Sequence, residues 1–299
     1  MADGHVPVLL QQTLGLLAPA PGEVFLDGTA GAGGHAEKIA GRVGSTGLLV
    51  CADDDPSMLS IASGRLRGFP RVRMVHSDYS DLPRLREAAG GRMFDGMLLD
   101  LGVSSPQLDD PSRGFSFRTD GPLDMRRDPG SGGPAAREIL RRSTERELAD
   151  IFFRFGEERF SRRIARILVA HRQRERIERT SQLADLVKSA IPRKAWPRTI
   201  HPATRVFQAL RIAVNRELES LARFLDCFAA HLAPGGRVAV ISFHSLEDRM
   251  VKVSFREQSS GADATLRVLT RKPVVPEDTE VAANPRAASA KLRAARRNL

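Results

Sequence analysis

A glycine-rich turn near the start of the chain has residue types that suit a nucleoside ligand. The segment Asp27–Ala36 holds four glycines and, counted from Gly31, follows the G-x-G-x-x-A pattern. Glycine lets the backbone bend sharply and approach a ligand without a Cβ in the way. Asp53 follows Gly31 by 22 residues, the spacing at which a carboxylate accepts both hydroxyls of a ribose. The turn lacks the Gly-Lys-Ser/Thr ending of triphosphate sites. It therefore predicts an adenosine-containing ligand, with NAD and S-adenosylmethionine both open.

A second residue that could take part in binding or catalysis is Asp100, which ends the apolar run Met97–Asp100. Ligands of open α/β sheets bind at the carboxyl ends of the parallel strands. A carboxylate in that place accepts hydrogens from a substrate amine or from the cofactor. The alternative is a structural role, in which Asp100 caps the following loop through backbone N–H groups.

These groups need a sheet to position them, and the first hundred residues alternate strand-like and helical patterns. Asp55 and Pro56 mark the start of the clearest helix. Strands that alternate with helices predict parallel β-α units in a doubly wound α/β sheet. The strand-like runs are Val24–Asp27, Leu48–Asp53, Val72–His76 and Met97–Asp100.

The alternation stops after Asp100. Residues 104–128 are rich in Pro, Gly, Ser and Asp and predict a long loop, and only helical patterns follow it. One long helix is predicted over 203–232, and strands resume at 237–243. We therefore predict one α/β domain formed by residues 1–123 and 214–299, split by a helical insertion at 124–213.

The charge of the chain is unevenly distributed. The net charge is +10, and residues 137–216 alone carry 20 Lys/Arg against 9 Asp/Glu. The last fourteen residues add five basic side chains and no acidic ones. This asymmetry favours a polyanionic partner, nucleic acid first and an anionic membrane surface second, for which the insertion and the tail would supply phosphate contacts. Solvated helix faces are the plain alternative.

Cysteine and histidine usage excludes several classes of protein. Cys51 and Cys227 lie far apart, and the seven histidines are scattered, so no metal site is expected. No run of about 18 apolar residues is present, so no membrane span is expected. The sequence predicts a cytoplasmic protein.

Several longer segments resemble those of the bacterial 16S ribosomal RNA (cytosine-N4) methyltransferase family, in that family's order along almost the whole chain. The segments are His5–Leu10, Asp27–His35, Leu99–Asp128, Gly156–Phe160, His201–Ala209, Ser242–Arg249 and Asn284–Ala287.

The resemblance implies a Rossmann-like class I methyltransferase fold with an inserted all-α domain for RNA recognition. It implies S-adenosylmethionine as cofactor, the 16S ribosomal RNA of the small subunit as substrate, and it allows a homodimer. Asp100 would be the catalytic candidate. The cofactor-binding residues that the resemblance implies are Gly33, Gly34, His35, Asp53, Tyr79, Asp100 and Gln107.

The acceptor chemistry leaves alternatives open. Amino-methyltransferases commonly carry an Asp/Asn-Pro-Pro-aromatic tetrad after the fourth strand, whereas this chain has Asp100-Leu101-Gly102-Val103. A stacking aromatic would therefore come from elsewhere, with Phe115 and Phe117 as the first candidates and Phe243 and His244 after them. An NAD-dependent oxidoreductase and a non-catalytic RNA-binding assembly factor are the rival classes.

Overall fold

The structure is a computed structural model that describes residues 7–299, so His5 and Val6 of the first resembling segment lie outside the described residues. The chain forms two compact units. The first, the α/β unit, runs to Gly102 and resumes at Leu218–Leu299. The second, the helical unit, is Val103–Glu217. The loop after Asp100 thus packs with the helices that follow it.

The elements are as follows. The strands are β1 Val24–Asp27, β2 Leu48–Asp53, β3 Val72–His76, β4 Phe94–Asp100, β5 Leu232–Ser242, β6 Leu266–Val268 and β7 Lys291–Arg297. The helices are α1 Leu10–Leu17, α2 Gly34–Val43, α3 Pro56–Arg65, α4 Leu82–Ala88, α5 Ser105–Asp109, α6 Ala136–Arg142, α7 Glu145–Gly156, α8 Ser161–Arg172, α9 Thr180–Ala190, α10 Thr204–Asn215, α11 Glu217–His231, α12 Ser245–Gln258 and α13 Asp278–Ala283.

The α/β unit is built on one sheet of order β3-β2-β1-β4-β5-β7-β6. Strands β1 to β5 are parallel, and β7 runs antiparallel to β5 and β6. The four predicted N-terminal strands are confirmed, with β4 starting three residues earlier. Every residue of β1 and β2 is buried, as expected for strands covered on both faces. The prediction that Asp55 and Pro56 begin α3 is also confirmed, because Asp55 accepts a hydrogen bond from the Ser57 N–H at 2.9 Å.

The basic C-terminal segment contains a strand that was not predicted from the sequence. Residues Lys291–Arg297 form β7, and its four basic side chains have partners inside the α/β unit. Lys291 Nζ and Arg293 Nε lie 3.4 and 2.6 Å from the Asp248 carboxylate. Arg296 and Arg297 donate to backbone carbonyls of β5. These partners leave no cation of the strand without a hydrogen-bond acceptor.

The helical unit has its own core, which includes Leu148, Phe152, Ile164 and Leu183 from α7, α8 and α9. The helices predicted there from apolar periodicity are confirmed. The single long helix predicted over 203–232 is wrong, because Arg216 adopts a left-handed conformation with φ 52° and separates α10 from α11.

Among residues 7–299, no helix is long and apolar enough to cross a membrane.

Candidate cofactor and active site

The glycine-rich turn joins β1 to α2 at the carboxyl edge of the sheet, where the strand order reverses between β1 and β4. Gly33 has φ +82°, and a Cβ there would lie 3.2 Å from Ala62 Cα. A Cβ on Gly34 would lie 2.4 Å from Pro7 Cγ. The turn therefore needs glycine at both positions, once for its backbone conformation and once for close packing.

Asp53 ties the end of β2 to this turn. Its Oδ2 accepts a hydrogen bond from the Gly31 N–H at 2.8 Å, and its Oδ1 accepts one from the Asp55 N–H at 2.9 Å. The side chain is buried. These two bonds fix the orientation of the Asp53 carboxylate at the end of β2.

His35 and Asp100 lie beside each other at the start of α2 and the end of β4. His35 Nδ1 is 3.5 Å from Asp100 Oδ2, and His35 Nε2 donates to the Val8 carbonyl at 3.1 Å. The Asp100 N–H donates to Thr29 Oγ1 at 2.6 Å. The imidazole is thus held from both sides, and it faces one oxygen of the carboxyl group.

The other oxygen, Asp100 Oδ1, is inaccessible to solvent and receives no hydrogen bond from any residue in 7–299. The same is true of Asp27 Oδ2, at the end of β1. Burial raises the pKa of Asp27 to about 7, and the neighbouring Asp53 adds to the increase. Burial, then Asp27 and Glu247, raises the pKa of Asp100 to about 8. The site therefore contains two carboxyl groups, Asp27 buried and Asp100 half-buried, that hold protons near neutral pH.

Asp27 was not singled out from the sequence as a functional residue. It belongs to the segment Asp27–His35 that carries the resemblance, but the pattern there is dominated by glycine. The signal that could have identified it is an acidic residue at the end of a wholly apolar strand, directly before the turn.

The two remaining predicted cofactor residues, Tyr79 and Gln107, lie outside the glycine-rich turn. Tyr79 follows β3 and is buried, with its ring centroid 5.9 Å from that of Phe224 in an edge-to-face contact. A Cβ on Gly28 of the turn would lie 2.9 Å from Tyr79 Cβ, so Tyr79 adjoins the turn. Gln107 belongs to the helical unit, where its Oε1 accepts from the Ser104 N–H at 2.8 Å and helps to begin α5.

The aromatic candidates for base stacking are used in packing. Phe115 is buried in the core of the helical unit. Phe117 packs edge-on against Phe207 at 4.7 Å and lies 4.8 Å from the His201 ring. Phe243 packs on the apolar core of the α/β unit, and His244 caps α12.

The residues at this edge suit S-adenosylmethionine. Its sulfonium and ammonium groups are cationic, and the buried oxygens Asp27 Oδ2 and Asp100 Oδ1 are acceptors without a donor inside the described chain. A cation that enters such a cluster stabilises the ionised carboxylates and replaces the missing hydrogen-bond donors. A pyrophosphate, by contrast, would bring negative charge next to three acids.

The fold and the site together define a class of protein. The order β3-β2-β1-β4-β5 is that of nucleotide-binding doubly wound sheets. Antiparallel β7 beside β5, with an acid-lined glycine turn, is the arrangement of the Rossmann-like, S-adenosylmethionine-dependent methyltransferases.

Comparisons with known proteins identify the family within this class. Residues 2–298 match the MraW methylase family. "Ribosomal RNA small subunit methyltransferase H" of Anaeromyxobacter dehalogenans is 52% identical, with 97% of this chain and 96% of that protein covered. The Geobacter sulfurreducens protein of the same name is 50% identical, with 99% of both chains covered. The crystal structure of an rRNA methylase from Streptococcus thermophilus covers 99% of this chain and all of that one, with TM-score 0.46 and 9% identity.

The chain belongs to the MraW methylase family. It is a methyltransferase, and its methyl donor is S-adenosylmethionine.

The acid cluster leads to a prediction about pH and cofactor binding. Below about pH 7 the ligand-free site carries protons on Asp27 and Asp100, and a cationic ligand favours their release. The affinity for S-adenosylmethionine should therefore rise with pH up to about 8 and then level off, by at most about tenfold per pH unit for each proton released. Titration calorimetry between about pH 6 and pH 8.5 measures this.

Two comparisons control this measurement. S-adenosylhomocysteine lacks the sulfonium charge, so its affinity should depend less on pH. Asp27→Asn removes one of the titrating groups and should flatten the profile. Equal pH profiles for the two ligands would show that the cluster does not respond to the sulfonium charge.

Proposed function

We propose that this enzyme transfers a methyl group from S-adenosylmethionine to the N4 amino group of a cytosine in the 16S ribosomal RNA of the small ribosomal subunit. The observation that carries the choice of an amine as acceptor is the Asp100 carboxyl group at the carboxyl end of β4. Its side chain is 25% exposed, and its Oδ1 receives no hydrogen bond from residues 7–299. The curated relatives named above act, by name, on small-subunit ribosomal RNA.

The cytosine amine is a poor nucleophile because its lone pair is conjugated into the ring. It gains nucleophilicity when an acceptor pulls on its hydrogens as positive charge develops on nitrogen. The carboxyl group of Asp100, at the carboxyl end of β4 and with a quarter of its side chain exposed, is the acceptor available for this purpose.

Methyl transfer to an amine also releases a proton, and this gives Asp100 a second role. S-adenosylmethionine, when bound, supplies an electrophilic methyl group on sulfur. The amine nitrogen forms one bond to that carbon as the sulfur–carbon bond breaks, and the nitrogen loses one proton. The ionised Asp100 carboxyl group receives this proton in our proposal. His35, with Nδ1 3.5 Å from Asp100 Oδ2, orients the carboxyl group.

The other side chains and backbone groups of the turn would bind the cofactor. The backbone of Gly33 and Gly34 would contact it, Asp53 would accept from its ribose, and Tyr79 would lie beside its adenine. Gln107 is also proposed as a cofactor-binding residue. These assignments rest on the position of each residue in the turn or after a strand, together with the match to the family.

The RNA would be bound mainly by the helical unit, which contains the basic segment 137–216. We also propose a cytoplasmic location, which follows from the ribosomal substrate. A homodimer stays a prediction that light scattering can test.

The substrate class is tested by offering the purified enzyme radiolabelled S-adenosylmethionine with unmodified small or large ribosomal subunits. Label should enter the RNA of the small subunit only. Label in large-subunit RNA, or in protein, would contradict the proposal. Heat-treated enzyme serves as the blank.

A further inference from the structure

The helical unit carries an aromatic and basic surface that shares no residue with the acid cluster of the α/β unit. This surface consists of Arg159, Phe160, Lys188, Arg193, Trp196 and His201, and we refer to it as the Trp196 surface. All six residues lie within the helical unit. They come from the start of α8, from the end of α9 and from the connection between α9 and α10.

Trp196 is the centre of this surface. Its indole N–H donates to the Ile191 carbonyl at 3.0 Å, which fixes the ring, and the residue is half-buried. Lys188 Nζ lies 5.2 Å from the ring centroid, and Arg193 Cζ lies 6.0 Å from it. Both distances are those of cation–π contacts. A fixed aromatic ring thus has two cations within contact distance.

A second aromatic–cation pair adjoins the first. Arg159 Cζ lies 4.8 Å from the Phe160 ring centroid, and Arg159 Nη2 donates to the Ala195 carbonyl at 3.4 Å. Ala195 directly precedes Trp196, so this hydrogen bond brings the two pairs together. Arg159 and Arg193 are exposed to solvent.

His201 adds a third ring without adding charge. Its Nδ1 accepts from the Ala203 N–H at 3.1 Å. Burial, and then the neighbouring Lys188, lowers the pKa of His201. The imidazole is therefore neutral at physiological pH, and a neutral heteroaromatic ring can stack on a base.

The segment that carries Trp196 and His201 is basic. From Leu186 to Arg216 the sequence has seven Lys/Arg and no Asp or Glu, although Asp185, directly before it, acts electrostatically on His201. Rings interleaved with an excess of cations match the requirements of single-stranded nucleic acid, whose bases stack and whose phosphates need positive charge.

We propose that the Trp196 surface binds a single-stranded stretch of the substrate RNA, with bases stacked on its rings and phosphates paired with Lys188, Arg193 and Arg159. This inference rests on the proposed function in that it takes RNA as the substrate, and it adds the place and the strandedness of binding. An acidic protein partner is the competing occupant, and the experiment below distinguishes the two.

Trp196 is the only tryptophan of the chain, so its fluorescence reports on this surface directly. The probe is single-stranded oligocytidylate about ten nucleotides long, within the site size of such surfaces. We expect it to quench the emission of the wild-type protein as it binds, and an RNA duplex of equal length to quench much less. Binding without quenching would overturn the proposal.

Variants test the rings and the charges separately. Trp196→Ala should weaken oligonucleotide binding about ten- to a hundredfold, and Trp196→Phe should stay within about threefold of wild type. The triple variant Arg159→Gln, Lys188→Gln, Arg193→Gln should lower the slope of log affinity against log salt by about 2, about 0.7 for each of three phosphate contacts. The triple variant changes only exposed or half-exposed side chains, so it provides a test even if Trp196→Ala fails to fold.

The matched control is Arg67→Gln with Arg84→Gln, two exposed cations of the α/β unit, which should leave binding unchanged. Equal losses in the control and in the Trp196 surface variants would overturn the proposal. S-adenosylhomocysteine affinity should be unchanged in all variants. If wild-type enzyme methylates small subunits while the variants bind and methylate RNA normally, only this inference fails. If it methylates no ribosomal RNA, the proposed function fails.

Discussion

Replacement of Asp100 by asparagine should lower the rate of methyl transfer at saturating cofactor by about 100- to 1,000-fold, the usual effect of removing one electrostatic partner of a transition state. Asparagine has the same size and one acceptor oxygen, but it lacks the charge and cannot take the proton of the amine. The Asp100 N–H bond to Thr29 Oγ1 is a backbone contact, so the variant keeps it. Single-turnover transfer of radiolabel to small subunits measures the change.

The control for this prediction is Asp81→Asn. Asp81 is an exposed residue that caps α4 by accepting from the Arg84 N–H, and asparagine caps helices equally well. That variant should keep the parental rate. Asp100→Asn should not lower the thermal stability of the ligand-free protein, because the surroundings of Asp100 disfavour the ionised carboxyl group and raise its pKa. Methylation by Asp100→Asn at the parental rate would remove Asp100 from the mechanism.

The second large effect concerns Asp53 and cofactor affinity. Asp53→Ala removes the proposed ribose acceptor and leaves the Gly31 and Asp55 N–H groups without their partner. Hydrogen bonds to a charged group contribute about 1.5–3 kcal/mol each, so the dissociation constant for S-adenosylhomocysteine should increase about 100-fold or more. Asp53→Asn keeps one acceptor oxygen and should show a smaller increase. Calorimetry measures both.

The matched control for Asp53 is Asp54→Asn, which removes the same charge one residue further along, from a half-exposed side chain. It should change the dissociation constant little. The rate at saturating cofactor should be similar in all three variants, because the role of Asp53 is in binding. An unchanged dissociation constant for Asp53→Ala would show that Asp53 only organises the turn.

Much of the α/β unit follows from the sequence because its first four strands are short, mostly apolar runs. Strand β7 does not, because four of the seven residues in Lys291–Arg297 are cations and the segment resembles a solvated basic tail. Its burial depends on partners distant in sequence, such as Asp248, 45 residues before Arg293. The end of α10 could also not be predicted from the sequence, because the apolar pattern continues through Arg216.

The site likewise has contacts that the sequence predicts and contacts that it does not. The spacing of the glycines and of Asp53 predicts their proximity, and the Gly31–Asp53 hydrogen bond places them together. The pairing of His35 with Asp100 joins residues 65 positions apart, and the Val8 carbonyl that holds His35 comes from another segment. Neither contact has a local signal. The raised pKa values of Asp27 and Asp100 likewise depend on burial, which only the packed structure supplies.

The central claim, that a cytosine amine receives the methyl group, is tested most directly by identifying the atom that gains it. Small subunits whose cytosines carry ¹⁵N at the amino position are incubated with enzyme and ¹³C-methyl S-adenosylmethionine, and the RNA is digested to nucleosides. Our account predicts one new nucleoside, N4-methylcytidine, with a direct ¹³C–¹⁵N bond visible in its NMR coupling and its fragment masses. A ¹³C-methyl group on a ring carbon, on a ribose oxygen or on another base would contradict it.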